Sequence, residues 1–176
     1  TEHFNSPAVD YVTTLFCFPS GVNFPLLYFS LSTFRPFHLF TSSEFRLYFF
    51  LVLGLSLFIM VELMARNGYG IEHAFRSGIF QVVSFITTTG LFNDDAGKWP
   101  HVTWVALSLC MFIGACSGST SGGLKCVRGV MLLKVVKNEF RQMLHPNASL
   151  PLRVDGNNVP PSKRVTLLAF FTSYLM

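Results

Sequence analysis

Two stretches of this sequence hold residue types suited to handling a bare monovalent cation. The first is Thr87-Thr88-Thr89-Gly90, followed by Leu91. A cation that sheds water needs a ring of oxygens in its place, and backbone carbonyls supply them without a formal charge. A threonine run favours extended backbone, and Gly90 admits torsions closed to other residues. On these letters alone a plain helix cap and chain turn is the simpler reading. The second stretch is Gly114-Ala115-Cys116-Ser117-Gly118-Ser119-Thr120-Ser121-Gly122-Gly123. Small and hydroxylated residues are poor helix material, yet these interrupt an apolar run. A non-helical loop at membrane depth must face water or protein, so beneath an oxygen ring it would lie across the ion's path as a gate. The alternative is close helix packing, which small residues also serve.

These stretches need elements to hold them, and the composition says which kind. Apolar residues make up 51% of the chain, charged residues only 12%, and Phe occurs 20 times. That is too little charge to cover a soluble domain. The apolar residues fall in blocks long enough to cross a bilayer, which takes roughly 20 residues. Spans are expected over about Val9–Phe34, Phe45–Ala65 and Val102–Val136, with a further one opening at Val165. The run from Ile71 to Ile86 is shorter and starts with Glu72, His73 and Arg76, so a re-entrant half-helix is the better assignment. Its apolar positions 71, 74, 75, 78, 79, 82, 83 and 86 share one helical face. Descending from outside, it would aim the partly negative end of its dipole at Thr87, which suits a cation.

Charge sets the orientation. With the first span entering from outside, Arg35, Arg46, Lys125, Arg128, Lys134, Lys137, Arg141, Arg153, Lys163 and Arg164 fall inside, and only Arg66, Arg76 and Lys98 outside. This is a strong positive-inside bias. Glu2, Asp10, Glu62, Glu72, Asp94 and Asp95 lean outward, where negative charge would concentrate cations. The net charge of +4 thus reflects orientation and calls for no nucleic acid. Glu62 is expected in polar contact with a neighbouring helix or facing the pore. Thr1 in place of an initiator Met, and an apolar run still open at Met176, read as a piece of a longer chain.

The expected layout is all-α and membrane-embedded. Residues 1–40 form the inner helix of a preceding repeat. Residues 41–146 form a complete unit of outer helix, pore helix, filter, broken inner helix and basic cytosolic helix. Residues 147–161 are a cytoplasmic linker and 162–176 open the next outer helix. The helix Lys125–Leu144 sets Leu132, Leu133, Val135, Val136, Phe140, Met143 and Leu144 against Lys134, Lys137 and Arg141, a pattern suited to lipid headgroups. Asn147-Ala-Ser149 matches a glycosylation acceptor, inert on that side. The cysteines Cys17, Cys110, Cys116 and Cys126 show no C-x-x-C pairing and read as small hydrophobes. Gly118–Lys125 only approximates a phosphate loop, since Leu124 stands in the lysine position. Gly114-Ala-Cys116-Ser-Gly118 has the outline of a nucleophile elbow, so an intramembrane hydrolase on Cys116 or Ser117 is a competing class if a histidine base reaches it. A structural scaffold is a third.

Longer runs carry a resemblance. Phe85-Ile-Thr-Thr-Thr-Gly-Leu91, then Met111-Phe-Ile-Gly-Ala-Cys-Ser-Gly-Ser-Thr-Ser-Gly-Gly-Leu-Lys-Cys-Val-Arg128, then Phe140-Arg-Gln-Met-Leu-His-Pro146, resemble the third repeat of the TrkH/KtrB potassium-uptake family. Phe4-Asn-Ser-Pro7 and Gly21-Val-Asn-Phe24 are similar to the segment after that family's second filter. Leu91 stands where an aromatic residue is common, and Ala115 where glycine is. The resemblance implies a pseudo-fourfold pore of four helix–pore-loop–helix (M1-P-M2) repeats, not an enzyme, in the bacterial inner membrane. It implies Thr87–Leu91 as the third filter segment, with K+ at Thr88 and Thr89. Residues 114–123 would be the intramembrane gate, with Lys125 and Arg128 on its cytoplasmic side. No bound cofactor is implied, and K+ is the transported ion. The implied partners are membrane lipid, a second copy in a homodimer, and a cytosolic nucleotide-binding regulatory subunit of the TrkA/KtrA kind.

Overall fold

The computed structural model describes residues 6–34, 36–144, 153–154, 157–158 and 161–175. Seven α-helices follow one another among them: α1 (Pro7–Ser20), α2 (Phe24–Ser32), α3 (Ser43–Asn67), α4 (Ile71–Ile86), α5 (His101–Ile113), α6 (Cys126–Leu144) and α7 (Pro161–Leu175). A two-residue hairpin, β1 (Arg153–Val154) paired antiparallel with β2 (Asn157–Asn158), was not expected within the linker. Residues 1–5 and much of the linker, Asn147 included, lie outside the described residues.

α3 is the one helix among these long and apolar enough to cross a bilayer by itself. Its 25 residues give about 37 Å of helix at 1.5 Å per residue. It stops at Gly68, whose φ of 65° is the left-handed cap that glycine adopts freely. Glu62 pairs with Arg66 one turn on, at 2.8 Å, so it is engaged within its own helix rather than with a neighbour. α4 packs along α3, and the core forms between them: Tyr48, Ile59 and Leu63 meet Val82, Val83 and Ile86, with Leu107 and Cys110 of α5 closing it. Gly78 lets the two axes approach, since a Cβ there would stand 3.2 Å from the Ser56 carbonyl oxygen.

The first apolar run differs from expectation. Read as a single span over Val9–Phe34, it is two helices bent by 104° at Gly21–Asn23. Pro19 lies in the last turn of α1 and cannot donate to the helical ladder. Asn23 then restarts the chain by accepting the Leu26 N–H at 3.4 Å. The bend frees the Gly21 carbonyl, which accepts from Cys116 N at 3.0 Å. Gly21 must also be small: a Cβ would meet Tyr48 Oη at 2.5 Å and Thr87 Cγ2 at 3.0 Å. Gly21→Ala is therefore expected to destabilise the protein by about 1–3 kcal/mol, the usual range for overpacking, measured as a lowered thermal midpoint in detergent. An unchanged midpoint would show that this junction tolerates the methyl.

Candidate ion filter and gating loop

α4 ends at Ile86, and Thr87 caps it with φ −84° and ψ −2°. The next backbone torsions alternate in hand, with Thr88 at φ 55° and Gly90 at φ 74°. Every N–H in this stretch turns back onto the helix end. Thr88 N donates to Phe85 O at 3.1 Å, Thr89 N to Ser84 O at 2.9 Å and Gly90 N to the same oxygen at 3.5 Å. Leu91 N donates to Ser84 Oγ at 2.8 Å. In a trans peptide the carbonyl points opposite to the N–H of its own plane. The carbonyls of Thr87, Thr88, Thr89 and Gly90 consequently point away from α4, on the side where Thr88, Thr89 and Gly90 are exposed. Leu91 closes the arc instead of extending it, because its carbonyl accepts from Ser84 Oγ at 2.8 Å. Ser84 thus clasps both backbone groups of Leu91, a role that nothing in its sequence position announced.

The threonine hydroxyls have separate duties. Thr87 is buried, donating to Val83 O at 2.7 Å and lying 2.7 Å from Thr89 Oγ1. Thr88 Oγ1 instead reaches across and accepts from Gly122 N at 3.0 Å. That bond joins the arc to the 114–123 loop directly.

The expected break in the third apolar run is present, lying between Ile113 and Cys126. It is ordered by bonds within itself. Ala115 N donates to Ser121 Oγ at 3.2 Å, Ser119 N to Cys116 O at 3.3 Å, Leu124 N to Phe112 O at 3.1 Å and Cys126 N to Ala115 O at 2.9 Å. Gly114 and Gly123 lie back to back; a Cβ on Gly123 would be 2.9 Å from Gly114 Cα, and both have positive φ. Lys125 also has positive φ, 73°, and folds its ammonium into the loop. Nζ donates to Ser121 O and to Ser119 O, the latter at 3.3 Å. Arg128, grouped with Lys125 by sequence, goes elsewhere and lies 3.9 Å over the Phe170 ring of α7. From the far side Glu44, the second residue of α3, accepts Ser117 N through Oε1. The exposed Thr120 and Gly118 face outward, while Ala115, Cys116 and Ser121 are buried.

The elbow reading of Cys116 finds no support in this arrangement. Cys116 is 1% exposed. Among the described residues, His101 opens α5 at its far end, about 18 Å of helix away, and His73 packs edge-on against Tyr69 on the N-terminal turn of α4; His145 lies outside the described residues.

Comparison with known proteins places the chain in a family. The family profile TrkH, described as a cation transport protein, matches residues 1–176. The Trk system potassium uptake protein TrkH of Escherichia coli strain K12 is 32% identical over 180 residues, covering 99% of this chain and 36% of that protein. TrkH of Halomonas elongata is 29% identical over 174 residues, with the same two coverages of 99% and 36%. Among solved structures, the crystal structure of the potassium transporter TrkH from Vibrio parahaemolyticus superposes with a TM-score of 0.86 at 30% identity, over 96% of this chain and 36% of that one. The chain thus spans about a third of the length of the relatives it matches. An all-α membrane chain with a half-helix set between α3 and a broken α5–α6, matched along its full length by that profile, belongs to the TrkH cation transport family.

Proposed function

We propose that this chain supplies the third of four arcs of a potassium-conducting pore, within a longer polypeptide that mediates K+ uptake across the bacterial inner membrane. The observation that carries this is the alignment of four successive carbonyls, Thr87 to Gly90, away from the C-terminal end of a buried half-helix. Such a row offers oxygens to a dehydrated cation, and the helix end behind it adds a favourable partial charge. Residues 41–146 act as the complete repeat, 1–40 as the end of the one before and 162–176 as the start of the one after. The loop 114–123, hydrogen-bonded to Thr88, is the gate beneath the arc.

The proposal extends to partners. Two copies pair, and a nucleotide-binding regulatory ring of the TrkA/KtrA kind sits on the cytosolic face. α6 is the part of this chain that reaches that side. Its Leu133, Val136, Phe140 and Met143 are exposed, so it presents an apolar stripe together with its basic residues to lipid headgroups or to the ring. The test is uptake of K+ and of Na+ into proteoliposomes holding the full-length polypeptide, together with thiol labelling of Cys116. Selective K+ entry with an unreactive Cys116 is expected. Absence of cation flux, with rapid labelling of Cys116 by an active-site thiol probe, would overturn the transport reading in favour of the hydrolase.

A further inference from the structure

Behind the outer end of the arc lies a set of polar side chains that neither the filter nor the gate uses. Asp10, on α1, is 6% exposed. Its Oδ2 accepts from Arg76 Nη1 on α4 at 3.1 Å and from Asn93 Nδ2 at 3.3 Å. Asn93 lies at a bend just after Leu91, and its Oδ1 accepts from Gln81 Nε2 at 3.3 Å. Gln81 is fully buried in the middle of α4. Arg76 also stands 3.4 Å from Glu72, whose carboxylate accepts the Tyr11 hydroxyl at 3.2 Å. One carboxylate therefore ties together α1, the half-helix and the chain that leaves the filter.

We propose that Asp10 is a positioning residue for ion discrimination: by holding Asn93 against α4 it fixes the outer end of the Thr87–Gly90 arc. The inference rests on the reading of that arc as a filter. Three points support it. The arc's inner part is secured by backbone bonds to Phe85 and Ser84, and beyond the Ser84 clasp on Leu91 Phe92 packs edge-on against Phe85 while Asn93 hydrogen-bonds through its side chain to both α1 and α4. Asn93 is pinned from two sides, by Gln81 from its own half-helix and by Asp10 from α1. A charged acceptor makes the Asp10 bonds stronger than a neutral one would, and a buried carboxylate that also pairs with a guanidinium is held in one place. Discrimination between cations depends on the number and field of the carbonyls around the ion, so loosening one end of the arc acts on selectivity before it acts on conduction. Because α1 stands in the preceding repeat, the brace also sets one arc's position from its neighbour's helix.

The test uses the full-length polypeptide in proteoliposomes and reads the K+/Na+ permeability ratio alongside K+ flux and thermal midpoint. Asp10→Asn is expected to lower the ratio at least tenfold while K+ flux persists, and Asp10→Glu to recover part of it. Asn93→Leu should lower the ratio similarly, and the double variant should be no worse than either single one, since both act through the same contact. An unchanged ratio in a folded, conducting Asp10→Asn protein overturns the inference, as do strictly additive losses. Should Asp10→Asn fail to fold, Asn93→Leu and Gln81→Leu leave the Asp10–Arg76 pair intact, and unchanged ratios in both overturn it equally. Gly90→Ser separates the two levels of the argument: if that variant keeps full discrimination the filter reading itself fails, whereas a damaged Gly90→Ser beside inert Asp10 and Asn93 variants refutes the brace alone.

Discussion

Gly90→Ser in the full-length polypeptide is expected to collapse K+/Na+ discrimination while leaving the protein folded. Gly90 sits at φ 74°, and a Cβ added there meets nothing of this chain within 4 Å. The damage is therefore torsional and not a clash. A side chain in the left-handed region costs about 1–2 kcal/mol, and the simplest relief is rotation of the Gly90–Leu91 peptide. That rotation would pull Leu91 N away from Ser84 Oγ, now 2.8 Å distant, and swing the Gly90 carbonyl out of the row. Since about 1.4 kcal/mol is tenfold in relative affinity, the strain alone is enough to remove about an order of magnitude of discrimination. Bi-ionic reversal potentials measure it. A variant whose permeability ratio matches the parent protein would show that Gly90 ends the half-helix and does nothing for ions.

Lys125→Met is expected to act on rate and not on selectivity. The ammonium ties Ser119 and Ser121 to the base of the loop, and hydrogen bonds to a charged group contribute about 1.5–3 kcal/mol each. Methionine keeps the stem and loses those bonds, so the loop leaves its seat more readily and K+ influx at fixed driving force rises several-fold. Lys125→Arg, with donors retained, should stay closer to the parent rate. Initial rates of tracer uptake distinguish these outcomes. Flux that is unchanged or lower in the methionine variant, at equal protein content, would mean that the lysine does not hold the loop shut.

Local pattern carried much of this architecture. The half-helix ends at Ile86 as its apolar periodicity required, and the break in the third apolar run falls over the Gly/Ser-rich residues that could not sustain a helix. Where the sequence misled, the cause was tertiary. The first apolar run looks continuous because Pro19, Gly21 and Asn23 interrupt its backbone and not its hydropathy, so one span became two helices at 104°. The partners of Asp10 lie 66 and 83 residues away, and the carboxylate that receives Ser117 N lies 73 residues upstream, separations that no period or spacing encodes. Leu91 was expected to extend the arc. Its orientation was decided by the Ser84 hydroxyl, which reads as an unremarkable helix residue until the chain folds back on it.

The loop at 114–123, expected to lie across the ion's path as a gate, is braced by its own bonds, and that has a consequence for how current should look. Gly114 and Gly123 touch backbone to backbone, and cross-links from Ala115, Ser119, Leu124 and Cys126 leave few torsions that can change singly. A body braced in this way does not creep aside by degrees; it is seated or it is displaced. Recordings from single pores would then step between two conductance levels with no graded sublevels, and the dwell times, not the amplitude, would carry any regulatory signal.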